Sequence, residues 1–174
     1  MLYIRRMKLD EARRQFIQTW GTLGSEWGIN RSMAQVHALL LISPEPLSTE
    51  EIMEELSISR GNCNMNVRDL ISWNLVQKEL VAGDRKEYFV AEKDIWEVAR
   101  RITLERKKRE IEPVLQKLVQ LQNAEIDANS PKGKEFIKTV GNIHHVVEKM
   151  DKGMDLALRA DENWFFGTLL KLVK

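Results

Sequence analysis

The stretch of this chain best suited to chemistry is Ser59-Arg60-Gly61-Asn62-Cys63-Asn64-Met65-Asn66-Val67-Arg68-Asp69. Carboxamides and guanidinium groups in one short segment suit the edges of base pairs. Asn can pair with adenine N6 and N7, and Arg with guanine O6 and N7. If the segment is a helix with Cys63, Val67 and Ile71 inward, a step of about 100° per residue turns Gly61, Asn62, Met65 and Arg68 outward. Asn64 and Asn66 then lie on the flanks, and Arg60 reaches out from the first turn. Three Asn residues in so short a run weaken an isolated helix, and a merely solvated face more typically carries Glu, Lys and Gln. The competing explanation is an ordinary polar helix face.

A second cluster, Gly83-Asp84-Arg85-Lys86, lies between two β-rich runs, Val76–Ala82 and Glu87–Ala91. Such a spacing predicts a hairpin. Arg85 and Lys86 at its tip suit phosphate or a minor groove, with Asp84 expected to orient Arg85. Many turns carry these residues, so the cluster gains its weight from what precedes it. The local charge balance opposes nucleic acid. Between Ser48 and Ala91 the cations Arg60, Arg68, Lys78, Arg85 and Lys86 face Glu50, Glu51, Glu54, Glu55, Asp69, Glu79, Asp84 and Glu87.

Other reactive side chains have simpler explanations. Cys63 near a helix start would have a lowered thiol pKa, but it falls on the inward stripe and reads as structural. His144 and Glu148 stand one helical turn apart, yet lack the partners of a metal site. Trp20, Trp27, Trp73, Trp96 and Trp164 could include a cage for a quaternary ammonium ligand, with core packing the default. Trp20 and Trp96 are the effector-binding candidates. No nucleophile–base pair, glycine-rich phosphate loop or metal cluster is present, so no catalytic residue, cofactor or metal is expected.

These clusters need elements to hold them. Leu9, Phe16, Trp20, Leu23 and Trp27 recur at helical spacing and predict a helix that stops at Gly28 and Asn30. A more apolar helix follows over about Ser32–Ile42, and Pro44 and Pro46 break it. Ser48-Thr49-Glu50-Glu51 is a capping box for a short third helix. Ser57-Ile58 makes a turn, Ser59 caps the Asn-rich helix, and Asn74 ends it in a left-handed cap. Beyond the hairpin, Ile95 to Arg109 opens a long helix dense in Arg and Lys, which reads as a solvated face. Pro113 kinks it or starts another. After Asn129-Ser130-Pro131, residues Phe136, Val140, Ile143, Val147, Met150 and Met154 alternate by four and three as a helix–helix seam. Trp164-Phe165-Phe166 with Leu169, Leu170 and Leu172 forms a final apolar segment.

Helix, helix, short helix, helix and hairpin in that order define the expected fold: mainly α with a small β-hairpin wing. It is a winged helix-turn-helix with N- and C-terminal dimerisation helices. The expected domains are residues 1–31 (N-terminal helix, dimerisation), 32–94 (winged helix-turn-helix) and 95–174 (C-terminal helical, dimerisation and effector response). The 174 residues are 43% hydrophobic and 30% charged with a formal net charge of +1. That composition supports a core and gives no global sign of a polyanionic partner. No apolar run is long enough for a membrane span, the N-terminal residues lack a signal-peptide pattern, and one cysteine forms no intrachain disulfide. A reduced, cytoplasmic protein without a membrane partner is expected.

The stretch from Ser32 to about Arg109 resembles the MarR superfamily of winged-helix regulators, and within it the GbsR-like branch. The residues that carry the resemblance are Leu56-Ser57-Ile58-Ser59-Arg60-Gly61-Asn62, Asn64-Met65-Asn66 and Asn74-Leu75-Val76. Gly83-Asp84-Arg85-Lys86-Glu87-Tyr88-Phe89 and Ala91-Glu92-Lys93-Asp94-Ile95-Trp96 add to it. Asn74 stands where the superfamily usually has Gly, a tolerable change in a left-handed cap. The resemblance implies a homodimer that binds double-stranded DNA, each protomer placing one helix in a major groove, and that responds to a small-molecule effector. The DNA-contacting residues would be Ser59, Arg60, Gly61, Asn62, Asn64, Met65, Asn66, Arg68, Arg85 and Lys86. A winged-helix protein-interaction module without DNA binding is the alternative, favoured by the acidic balance.

Overall fold

In the computed structural model, which describes residues 7–159, the chain begins with two helices that cross closely. These are α1 (Leu9–Glu26) and α2 (Arg31–Ile42). The crossing depends on Gly24, where an added Cβ would lie 2.6 Å from the Ala34 Cβ. Beside it, Gln18 Oε1 accepts hydrogen bonds from Arg31 at 2.9 Å and Gln35 at 3.2 Å. Asn30 caps α2 by accepting from the Met33 amide. Along α2, Val36, Ala38, Leu39 and Leu40 are buried almost completely, making this helix the spine of the core.

Past Pro44 and Pro46 come β1 (Leu47–Ser48), α3 (Thr49–Leu56), α4 (Arg60–Ser72), β2 (Val76–Glu79) and β3 (Tyr88–Ala91). The capping box forms as the sequence predicts. The Glu51 amide donates to Ser48 Oγ, and the Glu51 carboxylate accepts from the Ser48 amide at 2.7 Å. Ser57 turns the chain between α3 and α4 with φ 52°, and Asn74 leaves α4 with φ 57°. Only Asn74 was foreseeable, because Asn tolerates this left-handed region and Ser does so less readily.

The hairpin belongs to a three-stranded antiparallel sheet in the order β1-β3-β2, with Leu47 opposite Phe89 and Val76 opposite Ala91. The sequence gives no sign of β1, since two residues carry no periodicity. Val76, Phe89 and Ala91 point into the core. Lys93, just past β3, donates from Nζ to the carbonyls of Leu40, Leu41 and Ser43 at 2.7, 3.0 and 2.7 Å. It thereby caps the C-terminus of α2, where a cation also meets the negative end of the helix dipole. Desolvation lowers the Lys93 pKa.

The chain divides into two compact units, the first ending at Val98 and the second beginning at Ala99. α1 lies in the first, packed on α2, so the expected division near residue 31 is not a boundary. α5 (Ile95–Arg106) runs into a π-helical turn, Lys107–Ile111, then α6 (Glu112–Gln122) and α7 (Pro131–Arg159). Pro113 sits in the first turn of α6, where its missing N–H costs little. Within the second unit Lys107 is buried between Asp151, at 3.1 Å, and Asp155. The α7 seam is divided: Val140 is buried and Val147 and Met154 are half-buried. Phe136, Ile143 and Met150, one heptad apart, stay exposed. The segment from Trp164 to Leu172 lies outside the described residues. Among the described residues, no helix is long and apolar enough to cross a membrane.

His37 is the one histidine in the first unit's core, 2% exposed, with Trp20 beside it at 6.2 Å between ring centroids. Burial, and secondarily the Lys93 charge, lowers its pKa to about 4. The folded state therefore holds His37 neutral, whereas the unfolded chain protonates near 6.5. Stability contributed by the neutral ring is fully present above pH 6.5 and is lost as pH falls toward 4, by up to about 3 kcal/mol. Urea unfolding at pH 7 and pH 5 is expected to show this loss, and His37→Gln to remove most of it. Gly24→Val is expected to cost about 1–3 kcal/mol by the same assay, since α1 must then back away from α2.

Candidate nucleic-acid interface

α4 is intrinsically a weak helix, with Gly61 and three Asn residues. It forms because Ser59 caps it, accepting from the Asn62 amide at 3.3 Å, and because one face is buried. Cys63, Val67 and Leu70 are at most 3% exposed, with Ile52 of α3 buried alongside. Ile71, expected on this stripe, is only half-buried. Burial raises the Cys63 thiol pKa, and its Sγ faces the Thr49 carbonyl, which fits a structural cysteine and not a thiolate.

With that face inward, Arg60, Gly61, Met65 and Arg68 are exposed, and Asn62 and Asn64 are half-buried. Ser59 is exposed, though its oxygen is engaged in the cap. Asn66 departs from expectation. It is 0% exposed and donates from Nδ2 to the Asn62 carbonyl at 2.8 Å, so it cannot itself reach a ligand. The helical step placed it on a flank. α3 and the core cover that flank because Cys63, Asn66, Val67 and Leu70 together make the buried face.

Arg60 is not a free cation. Its guanidinium meets Glu50 of α3 at 2.6 Å, with both side chains well exposed. That hydrogen bond holds the Glu50 carboxyl below its usual range, with a smaller contribution from Lys86. The Lys86 charge also acts on Glu51. The wing tip therefore lies near the start of α3. Sequence reasoning missed the Glu50–Arg60 pair because the partners are ten residues apart on different helices.

The strands of the wing are shorter than expected. β2 stops at Glu79, and Leu80 and Val81 are exposed, Leu80 at 92%. The tight turn is Val81–Asp84, closed by the Asp84 amide on the Val81 carbonyl at 3.1 Å, with Gly83 at φ 86° where a side chain would be strained. Asp84 organises the tip chiefly through Lys86 and Tyr88, with a lesser backbone interaction at Arg85. It accepts from the Lys86 amide at 3.0 Å and from the Tyr88 hydroxyl at 2.9 Å. The first of these bonds is the main cause of its lowered pKa, and the second raises that of Tyr88. Lys78 and Glu87 pair across the hairpin at 2.5 Å. Arg85 and Lys86 are exposed.

The effector candidates are less coherent. Trp20 stacks on Phe16 with centroids 5.6 Å apart and is half-buried, as is Trp96. Neither lines the open groove of about 520 Å³ between α1 and α3, which Asp10, Arg13, Arg14, Ile17, Leu47 and Glu51 help to form. Among the described residues no cluster of metal-ligating side chains forms around His144 and His145, and the Glu148 carboxylate is engaged by Lys152 at 2.7 Å.

A capped, half-buried helix that presents Arg and Asn outward, followed by a turn-stabilised β-wing, defines a winged helix-turn-helix module. The family model described as MarR family matches residues 27–87, from the end of α1 to the second half of the wing. HTH-type transcriptional repressor GbsR of Bacillus subtilis (strain 168) is 31% identical over 88 residues, 51% of this chain and 48% of that protein. HTH-type transcriptional regulator MmpR5 of Mycobacterium tuberculosis (strain ATCC 25618 / H37Rv) is 32% identical over 76 residues, 43% of this chain and 46% of that one. The chain thus spans about half the length of these curated relatives. A crystal structure of a transcriptional regulator shares the fold, with a TM-score of 0.55 at 22% identity over 83% of this chain and 99% of the other. Over residues 27–87 the chain is thus similar to MarR-family winged-helix transcription regulators.

If the outward face of α4 meets DNA, Glu50 opposes it twice, by engaging Arg60 and by repelling phosphate. Glu50→Gln is then expected to raise duplex affinity severalfold at low salt, read by fluorescence anisotropy, with the gain shrinking as salt rises. Weaker binding would show instead that Glu50 holds Arg60 in its working position.

Proposed function

We propose that this protein is a sequence-specific DNA-binding transcription regulator of the repressor type, acting as a cytoplasmic homodimer that a small-molecule effector releases from its site. The observation that carries the proposal is the exposed polar face of α4 within a MarR-type winged helix. Arg60, Gly61, Asn62, Asn64, Met65 and Arg68 would enter the major groove, with Ser59 at the helix start. Arg85 and Lys86 would meet phosphate or the adjacent minor groove, on a wing shaped by Asp84. Asn66 contributes from beneath the surface. No catalytic role is assigned, in keeping with a family of non-enzymatic regulators.

The acidic balance of the module leaves little general attraction to DNA, so affinity depends on two modules binding together. Phe136, Ile143 and Met150, with Ile137 and Val146 exposed near them, support a second copy docking on α7. An effector that favours the wrong separation of the two α4 helices would release DNA by shifting the population of dimer conformations. Trp20, Trp96 and the groove between α1 and α3 are places to look for it.

A second possibility rests on a specific observation. Leu80 and Val81 present apolar surface on the wing beside an acidic module, as a protein-docking surface would. The two proposals part at Arg60, Asn62, Arg68, Arg85 and Lys86. For a DNA-binding protein, alanine at Arg68 or Arg85 weakens binding and lowers the slope of log affinity against log salt by roughly one for each phosphate left unneutralised. Alanine at Asn62 changes sequence preference more than salt dependence. No duplex binding at low salt, or affinity indifferent to all five substitutions, would favour the protein-interaction module. In sedimentation, Ile143→Asp with Met150→Asp is expected to shift dimer to monomer and to cut DNA affinity at least tenfold.

A further inference from the structure

We propose that Asn66 is a positioning residue that fixes which end of the Asn62 carboxamide faces the DNA, and so decides which base edge Asn62 reads. The proposal rests on the DNA-binding function above and deepens it.

Asn66 is 0% exposed, one helical turn after Asn62 on α4. Its Nδ2 donates to the main-chain carbonyl of Asn62 at 2.8 Å and to the Asn62 side-chain Oδ1 at 2.5 Å. The two ends of a carboxamide look alike, but here their assignment follows from chemistry. A main-chain carbonyl only accepts, so the Asn66 atom facing it is the nitrogen. That nitrogen has only hydrogens to offer, so the Asn62 atom beside it is an oxygen. Both Asn66 amide hydrogens are thereby used, and Asn62 Oδ1 is held against a buried donor. The Asn66 Oδ1 has no partner among the described residues. A residue kept only to satisfy its own polar atoms would not be left so.

The consequence falls on the exposed side. Asn62 is left with its NH2 group as the outward end, a donor and not an acceptor. Bidentate pairing with adenine needs both: Oδ1 to accept from N6 and Nδ2 to donate to N7. With Oδ1 turned to Asn66, Asn62 matches edges that present acceptors, guanine N7 and O6 or thymine O4. The adenine preference that an Asn on this face suggests from sequence is therefore replaced at this residue by a preference for acceptor edges.

The test is selection of bound duplexes from a randomised pool by the full-length protein, by N62A and by N66L. Leu approximates the shape of Asn and removes the donor, and Asn62, being only half-buried, can turn its Oδ1 to solvent in its absence. The position read by Asn62 is the one whose preference disappears in N62A. There the native protein is expected to select guanine or thymine, and N66L to shift toward adenine by about fivefold or more in competition binding, with an unchanged salt slope. A residue that only stabilises the helix would alter the unfolding midpoint without altering base preference. If N66L does not fold, N66V is selected in its place. Amide exchange in the native protein gives an independent reading, with the Asn66 side-chain hydrogens slowed and those of Asn62 fast. Adenine selected by the native protein overturns the proposal. So do an unchanged preference in the folded Asn66 variant, no effect of N62A at any position, or fast exchange at Asn66. A native protein that binds no duplex at low salt overturns the DNA-binding function itself.

Discussion

The surface of α4 depends on how its opposite face is held. A helix with Gly61 and three Asn residues has little stability of its own. Burying Cys63, Val67 and Leu70 beside α2 and α3, at roughly 1.5–3 kcal/mol for a full-sized apolar side chain, supplies what the local sequence lacks. Packing also fixes the rotation of α4 about its axis. That rotation separates the residues that can touch a partner from Asn66, which cannot. α2 can serve as the base because α1 covers it closely at Gly24 and Lys93 closes its C-terminus.

Charge in this module is arranged in pairs and gives no broad positive field. Arg60 meets Glu50, Lys78 meets Glu87, and Lys86 lies near enough to Glu50 and Glu51 to lower both their pKa values. A partner must compete with these carboxylates, so any attraction is short-ranged and sensitive to position. Wrong sites then gain little, while two modules spaced to fit a site gain together. If the proposed homodimer forms, the helices of the second unit would share in recognition by bringing two modules together. The α7 seam of that unit uses the series Val140, Val147 and Met154 within the chain and leaves Phe136, Ile143 and Met150 exposed.

Much of this architecture was legible in the residue order. α1 through α4, the Ser48–Glu51 box, the Ser59 cap and the Asn74 stop all follow from short-range rules of capping and periodicity, and each formed where those rules put it. The π turn before Pro113 was foreseen only as a kink or a new start. β1 was missed because two residues have no pattern, and the wing strands were drawn too long because Leu80 and Val81 look like strand residues but bury nothing. His37 and Lys93 gave no signal. A histidine in an apolar run and a lysine after a strand are ordinary until the core closes around one and three carbonyls gather at the other.

The Asn-rich segment shows where sequence stops and tertiary structure takes over. Its residue types alone determine a helix that can present carboxamides and guanidinium groups, since these depend on composition and on a period of about 3.6 residues. Its contacts were decided only by the fold. Asn66 went inside, Asn62 Oδ1 turned to meet it, Arg60 found Glu50, and Asp84 took the Lys86 amide and the Tyr88 hydroxyl. The physical reason is range. Capping and periodicity act within one or two turns of chain, whereas burial and hydrogen-bond pairing join groups that sequence keeps apart, and a few degrees of helix rotation decide which of them meet.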